Sequence, residues 1–190
     1  MSTETWTALV RRGYDHTRPA IHFGDLHWSG QEFLDRAAGA ADWLDTLDLP
    51  PRVPVPALAA TSAETLALVV GGAGSGHPLA PIGVRMTVPE AAAVVSALAG
   101  RVLVATAEHA DLGRAVAELT RRELVVVPEL AASQRELVAT ADDIAAVLHT
   151  SGTTGAPKPV PMAQWRLAAR APVWSVPDLV DTRFTRLVAE

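Results

Sequence analysis

The sequence predicts an α/β fold, a mostly parallel sheet layered between helices, on three observations. Short continuous apolar runs at residues 101–105, 124–127 and 144–148 are the mark of strands covered on both faces. Capped helical patterns alternate with such runs, an order that right-handed crossovers turn into parallel neighbours. The 190 residues, 49% hydrophobic and 19% charged with mean hydropathy +0.20, suffice for one core that removes about 70% of the unfolded surface from water.

Taken in chain order, Ile21-His22-Phe23 and Leu26-His27-Trp28 flank Gly24-Asp25 and read as a small hairpin on a two-residue turn. Ser29 and Glu32 form a capping box that opens a helix, with Phe33, Ala37, Ala40, Ala41 and Leu44 at helical spacing and a stop before Pro50-Pro51. Residues 52–60 have the β-branched content of a strand, yet Pro54 and Pro56 each delete a ladder donor. That strand therefore lies at a sheet edge, or its inner part begins only near Ala57. Residues 62–70 read as a second helix ended by Gly71, Gly72, Gly74 and Gly76, followed by a short strand at 79–82. Thr87-Val88-Pro89-Glu90 opens a third helix with an N-cap, a proline in the first turn and an acid three residues after the cap. A fourth helix spans 110–120, between the first two apolar runs. The strand at 144–148 leads directly into a Gly/Ser/Thr-rich stretch, placing it at a carboxyl end, where open α/β sheets bind ligands.

Several function classes are excluded. A net charge of −5, a pI near 5.7 and the lack of any Lys/Arg stripe argue against nucleic acid. There is no cysteine, so disulfides, thiol catalysis and thiolate metal sites are out, and a cytoplasmic location is the expectation. The N-terminus lacks the basic start and apolar run of a signal peptide, and residues 66–70 form too short a stretch to cross a bilayer, so no membrane span is expected.

The chemistry lies in His149-Thr150-Ser151-Gly152-Thr153-Thr154-Gly155-Ala156-Pro157-Lys158. Glycines let the backbone approach an anion and turn N–H groups toward it, four hydroxyls add donors, and Lys158, the only lysine, brings a mobile positive charge. The stretch is built to grip a polyphosphate. It is not the ordinary P-loop, because Ala156 and Pro157 separate Gly155 from Lys158. Without its neighbours Lys158 would read as a solvated lysine. Asp142 and Asp143, adjacent on an extended chain, point to opposite faces and read as solvated or turn-forming rather than as a metal pair. His149 reads as a packed or hydrogen-bonded side chain rather than a base, His22 and His27 as surface residues of the hairpin, and Trp165 and Trp174 carry no assigned chemistry.

This stretch resembles the phosphate-binding signature Thr-Ser-Gly-Thr-Thr-Gly-x-Pro-Lys-Gly of the acyl-adenylate-forming superfamily, which includes acyl-CoA synthetases, adenylation domains and luciferases. Nine of its ten positions are met; the tenth, usually glycine, is Pro159, which with Pro161 stiffens the loop exit. The segment at 76–81, the Thr87 to Glu90 helix start and Asp142-Asp143-Ile144 before the last strand extend the likeness along nearly the whole chain. The Met162-Ala163-Gln164-Trp165 segment departs from the Thr-His pattern of many relatives.

The resemblance implies an incomplete N-terminal portion of the adenylate-forming fold, residues 1–190 being a single α/β unit of a larger AMP-binding domain with the C-terminal lobe absent. It implies ATP-dependent activation of a carboxylic acid as an acyl-adenylate, then transfer to the thiol of CoA or a carrier protein. Thr150, Ser151, Gly152, Thr153, Thr154 and Gly155 would cradle the phosphates, and Lys158 would be the catalytic cation on the outer ones. Mg²⁺ would come with ATP, its protein ligand expected outside this chain. The chain is expected to be inactive alone and to need the remainder of the enzyme in cis or in trans. The alternative is a non-catalytic or split-enzyme docking module that binds a complementary chain.

Overall fold

The computed structural model of the protein describes residues 4–13, 19–151 and 157–174. Helix α1 (Trp6–Gly13) precedes an antiparallel hairpin, β1 (Pro19–Phe23) and β2 (Leu26–Ser29), turned at Gly24 with φ 58°. Ser29 then caps α2 (Gly30–Asp45): its hydroxyl accepts from the Glu32 N–H, and the Glu32 carboxylate accepts from the Ser29 N–H at 2.7 Å. These bonds from Ser29 hold the Glu32 pKa below the ordinary carboxylate value. The predicted apolar stripe, Phe33, Ala37, Ala40, Ala41 and Leu44, is buried.

Six strands form the main sheet, in the order β6-β5-β3-β4-β7-β8. Strands β3 (Val55–Leu58), β4 (Leu79–Ile82), β5 (Val102–Ala105), β6 (Glu123–Val126) and β7 (Ile144–Ser151) run parallel, and β8 (Pro157–Ala163) returns antiparallel beside β7. Side chains alternate between the two faces. Ala57, Leu79 and Val104 pack with Leu44 and Leu68 under α2 and α3 (Ala63–Ser75), while Leu58, Ile82 and Leu103 pack with Val95 and Val116 under α4 (Val88–Ser96) and α5 (Ala110–Thr120). At the end of α4 the Arg122 guanidinium donates to the carbonyls of Val95, Leu98, Ala99 and Val102 at 2.5–3.5 Å. Desolvation lowers its pKa, and the orphan carbonyls of the helix end receive a charged donor.

The structure decides between the two readings of β3 and corrects three other expectations. First, β3 is central, between β4 and β5, and not at an edge, and its pairing with β5 begins only at Ala57, as the second reading held. Val55 N–H donates to the Pro78 carbonyl on the β4 side, so the missing N–H of Pro56 falls on the β5 side, where the ladder starts only at Ala57. Second, α3 does not stop at Gly71: it runs to Ser75, and Gly76 ends it with φ 82°. The glycines serve packing, since a Cβ on Gly71 would stand 2.3 Å from the Ala37 carbonyl of α2. Third, β6 is a border strand, with Glu123 and Val126 exposed rather than covered on both faces. Fourth, the strand at 144–148 continues to Ser151 and leaves Leu148 49% exposed, which opens its end to solvent.

Residues 127–143, between β6 and β7, form a long strap without helix or strand over α2 and α3. Ser133 N–H donates to the Asp35 carbonyl and Val138 N–H to that of Gly74, which anchors the strap on both helices. The approach is close: a Cβ on Gly39 would lie 1.7 Å from the Ala131 carbonyl oxygen. This strap returns the chain to β7 and so sets the position of the site.

Candidate functional site

The signature straddles the β7–β8 hairpin. Thr150 faces Lys158 directly across the antiparallel ladder, and Ser151 faces Pro157. Opposed residues of such a ladder share a face with Cβ atoms about 5 Å apart, so the Thr150 and Lys158 side chains leave the same face of the hairpin at the loop's base. Both are exposed, and neither makes a hydrogen bond or ion pair with a described residue. Gly152, Thr153, Thr154 and Gly155 lie outside the described residues, as does the side chain of Ser151.

Strand β8 was not legible in the sequence because prolines at 157, 159 and 161 argue against a strand. The alternation explains their tolerance. N–H groups of successive strand residues point to opposite sides, so Lys158, Val160 and Met162 turn theirs to β7 and the prolines occupy the outward positions. The loop exit is therefore a stiff border strand, and Lys158 is fixed in register.

Below the loop the hairpin is clamped at its root. The Asp143 carboxylate accepts from the Thr140 N–H and hydroxyl at 2.7 and 2.8 Å and pairs with Arg52 at 3.0 Å. Burial, the largest influence, pushes the Asp143 pKa up, but the Thr140 bonds and the Arg52 charge together outweigh it and hold the pKa below the ordinary value. Asp143 thus forms a turn, as its sequence position suggested, and adds an ion pair with Arg52 that the sequence did not reveal, while Asp142 is exposed. Gln164 opens α6 (Gln164–Trp174) fully buried. Its Oε1 accepts from the Thr7 N–H and hydroxyl, and its Nε2 donates to the Ala73 carbonyl at 2.9 Å. One side chain thereby satisfies a first-turn amide of α1 and a last-turn carbonyl of α3.

His149 is half-buried on β7; its Nε2 has no partner among the described residues, and burial lowers its pKa, favouring the neutral ring. Trp165 is partly buried, with the Arg166 guanidinium 5.3 Å from its ring centroid, while the Trp174 side chain is outside the description. Arg85, on the turn that leaves β4, is exposed and has no ion pair or hydrogen bond among the described residues. A separate cleft of about 270 Å³, lined by Trp28, Arg36, Thr65 and Thr106, opens at the carboxyl ends of β3 and β5, away from the hairpin. Among the described residues no three His, Asp or Glu side chains stand together to hold a metal ion, and no helix is long and apolar enough to cross a membrane.

A mostly parallel sheet between two layers of helices, with the Gly/Ser/Thr-rich stretch at a strand's carboxyl end, defines the chain as an α/β protein of the open-sheet class. The profile of the family described as AMP-binding enzyme matches residues 10–185, and the chain belongs to that family. No curated protein matches it. Among solved structures it is similar to VinN in complex with 3-methylaspartate, at 19% identity and TM-score 0.79 over 92% of this chain and 52% of that one. It is likewise similar to ATP-bound MatB from Rhodopseudomonas palustris, at 23% identity and TM-score 0.74 over 91% and 37% of the two chains. The luciferase-like enzyme from the nonluminescent Zophobas morio mealworm aligns at 16% identity and TM-score 0.73 over 86% and 43%. These likenesses show the fold, the N-terminal part of the adenylate-forming architecture. The chain spans about 37–52% of the length of the structures it matches.

Proposed function

We propose that the chain is the phosphate-gripping N-terminal part of an ATP-dependent ligase that activates a carboxylic acid as an acyl-adenylate. The observation that carries this reading is the cross-strand pair of Thr150 and Lys158, both exposed and without a side-chain partner among the described residues, at the base of a Gly/Ser/Thr loop on a parallel strand's carboxyl end. The residue chemistry fits a triphosphate. Thr150, Ser151, Gly152, Thr153, Thr154 and Gly155 supply hydroxyls and amides, and Lys158 neutralises charge that grows on the leaving pyrophosphate as the acid's carboxylate attacks the α-phosphorus. Family membership supports the reading, as do an ATP-bound MatB and an acid-bound VinN among similar folds.

Mg²⁺ would accompany the nucleotide, and no protein ligand for it is assigned within residues 1–190. The acyl-adenylate would pass to the thiol of CoA or a carrier protein, and further polypeptide, in cis or in trans, would supply the acid pocket and the second lobe. The short span relative to similar structures supports that division.

The test is ATP binding and ATP–pyrophosphate exchange over a panel of acids. The chain alone should bind ATP without exchange, and Lys158→Ala should weaken ATP binding about tenfold, the loss of one charge-assisted contact. No nucleotide binding by the parent chain would defeat the proposal, and unchanged affinity in the variant would remove Lys158 from it. Robust exchange by the chain alone would show that no further lobe is needed.

A further inference from the structure

The hairpin β1–β2 carries two imidazoles that phosphate chemistry does not use. Its inner face is anchored: Ile21 and Trp28 are buried in the cluster under α2 and α3, with Phe23 and Leu26 packed against it. Cross-strand partners share a face, so His22 and His27, paired in the register, stand together on the outer one, and both are exposed. Phe23 and Leu26 close the two-residue turn as a hydrogen-bonded pair. The next pair out, His22 with His27, is then of the non-hydrogen-bonded kind, in which side chains approach most closely.

The rings meet at 66° with centroids 4.7 Å apart, and the two Nδ1 atoms are 2.9 Å from each other. Only one proton can occupy that gap. Neither imidazole has another hydrogen-bond or ion-pair partner among the described residues. For metal–nitrogen bonds of about 2.0–2.1 Å, a separation of 2.9 Å subtends about 90° at a shared ion. Tetrahedral ligation would need roughly 3.3 Å between the nitrogens at the same bond lengths. The bite suits adjacent positions of a tetragonal ion.

We propose that the outer face of this hairpin is a two-histidine site for a nitrogen-seeking divalent cation of tetragonal preference, Cu²⁺ or Ni²⁺, with water in the remaining positions. Both donors come from a short hairpin pinned by its buried face, so the second nitrogen binds at high effective concentration once the first is engaged. The site stands on the opposite side of the hairpin from the core and is independent of the proposed nucleotide chemistry.

The experiment is a titration of the untagged 190-residue chain with CuCl₂ and then NiCl₂ in a weakly coordinating buffer, read by tryptophan fluorescence and, for Cu²⁺, by electron paramagnetic resonance. One strongest Cu²⁺ site per chain with two equivalent nitrogens in the superhyperfine pattern is expected. His22→Ala or His27→Ala should weaken it at least about tenfold through loss of the chelate. Far-UV circular dichroism of the metal-free variants should match the parent, because both side chains are exposed. Cu²⁺ affinity within about twofold of the parent in the His22→Ala/His27→Ala double variant would place binding on the other histidines and overturn the proposal. A single-nitrogen spectrum, or Zn²⁺ bound more tightly than Cu²⁺, would overturn it equally.

Discussion

Gln164 gives the sharpest prediction. It is fully buried, and replacing it with alanine strips the partner from three buried groups, the Thr7 N–H, the Thr7 hydroxyl and the Ala73 carbonyl. At about 1 kcal/mol for each group left unsatisfied, the polar loss is about 3 kcal/mol. The emptied methylene volume adds roughly 1 kcal/mol, for a total of about 4 kcal/mol. That is a large part of the 5–15 kcal/mol by which domains are ordinarily stable. Gln164→Met keeps the volume and loses the bonds, so it should cost about 3 kcal/mol and separate the two contributions. The assay is equilibrium urea unfolding, with amide hydrogen exchange to report whether α1 frays first. A loss below about 1 kcal/mol for Gln164→Ala would refute the claim that this side chain joins α1 and α3 at the foot of the hairpin.

Three further outcomes follow from single contacts. Gly39→Ala in the interior of α2 should gain about 1 kcal/mol on helix propensity alone. The Ala131 carbonyl at 1.7 Å from the new Cβ should instead make it destabilising by about 3 kcal/mol, so a raised melting temperature would contradict the strap's placement. Arg122→Ala should cost about 2 kcal/mol by leaving the carbonyls at the end of α4 without their donor, and Arg122→Lys should recover only part of this; equal stability of all three proteins in urea would count against it. The lowered His149 pKa makes the unfolded chain the better proton acceptor, so its contribution is complete above pH 6.5 and lost as pH falls toward the folded value. His149→Gln should flatten the stability profile between pH 7 and 5, and an unaltered slope would mean that other groups govern it.

What was legible in the sequence was local. The Gly24-Asp25 turn, the Ser29–Glu32 cap and the Thr87 helix start depend on residues within three or four positions, and each forms as read. The limits of α5 were equally plain, because its apolar period and flanking strands agree. Pro56 left two readings open because the cost of a missing N–H depends on which neighbour lies on that side, a fact set by the order of strands. The glycines of α3 were taken for a terminus because composition cannot reveal that α2 presses against them. At the site, Thr150 and Lys158 were found as a motif, yet their facing each other required β8, which its prolines disguised. Gln164 gave no local sign at all, since its partner Thr7 is 157 positions away.

The outward-facing prolines of β8 have a consequence for assembly. A border without amide donors gives an arriving strand little to bind, so within the six-stranded sheet, among the described residues, association through main-chain pairing is confined to β6 on the far side. Two copies meeting there would each present only a mute margin to solvent. Growth through this sheet stops at a pair and does not propagate into a fibre.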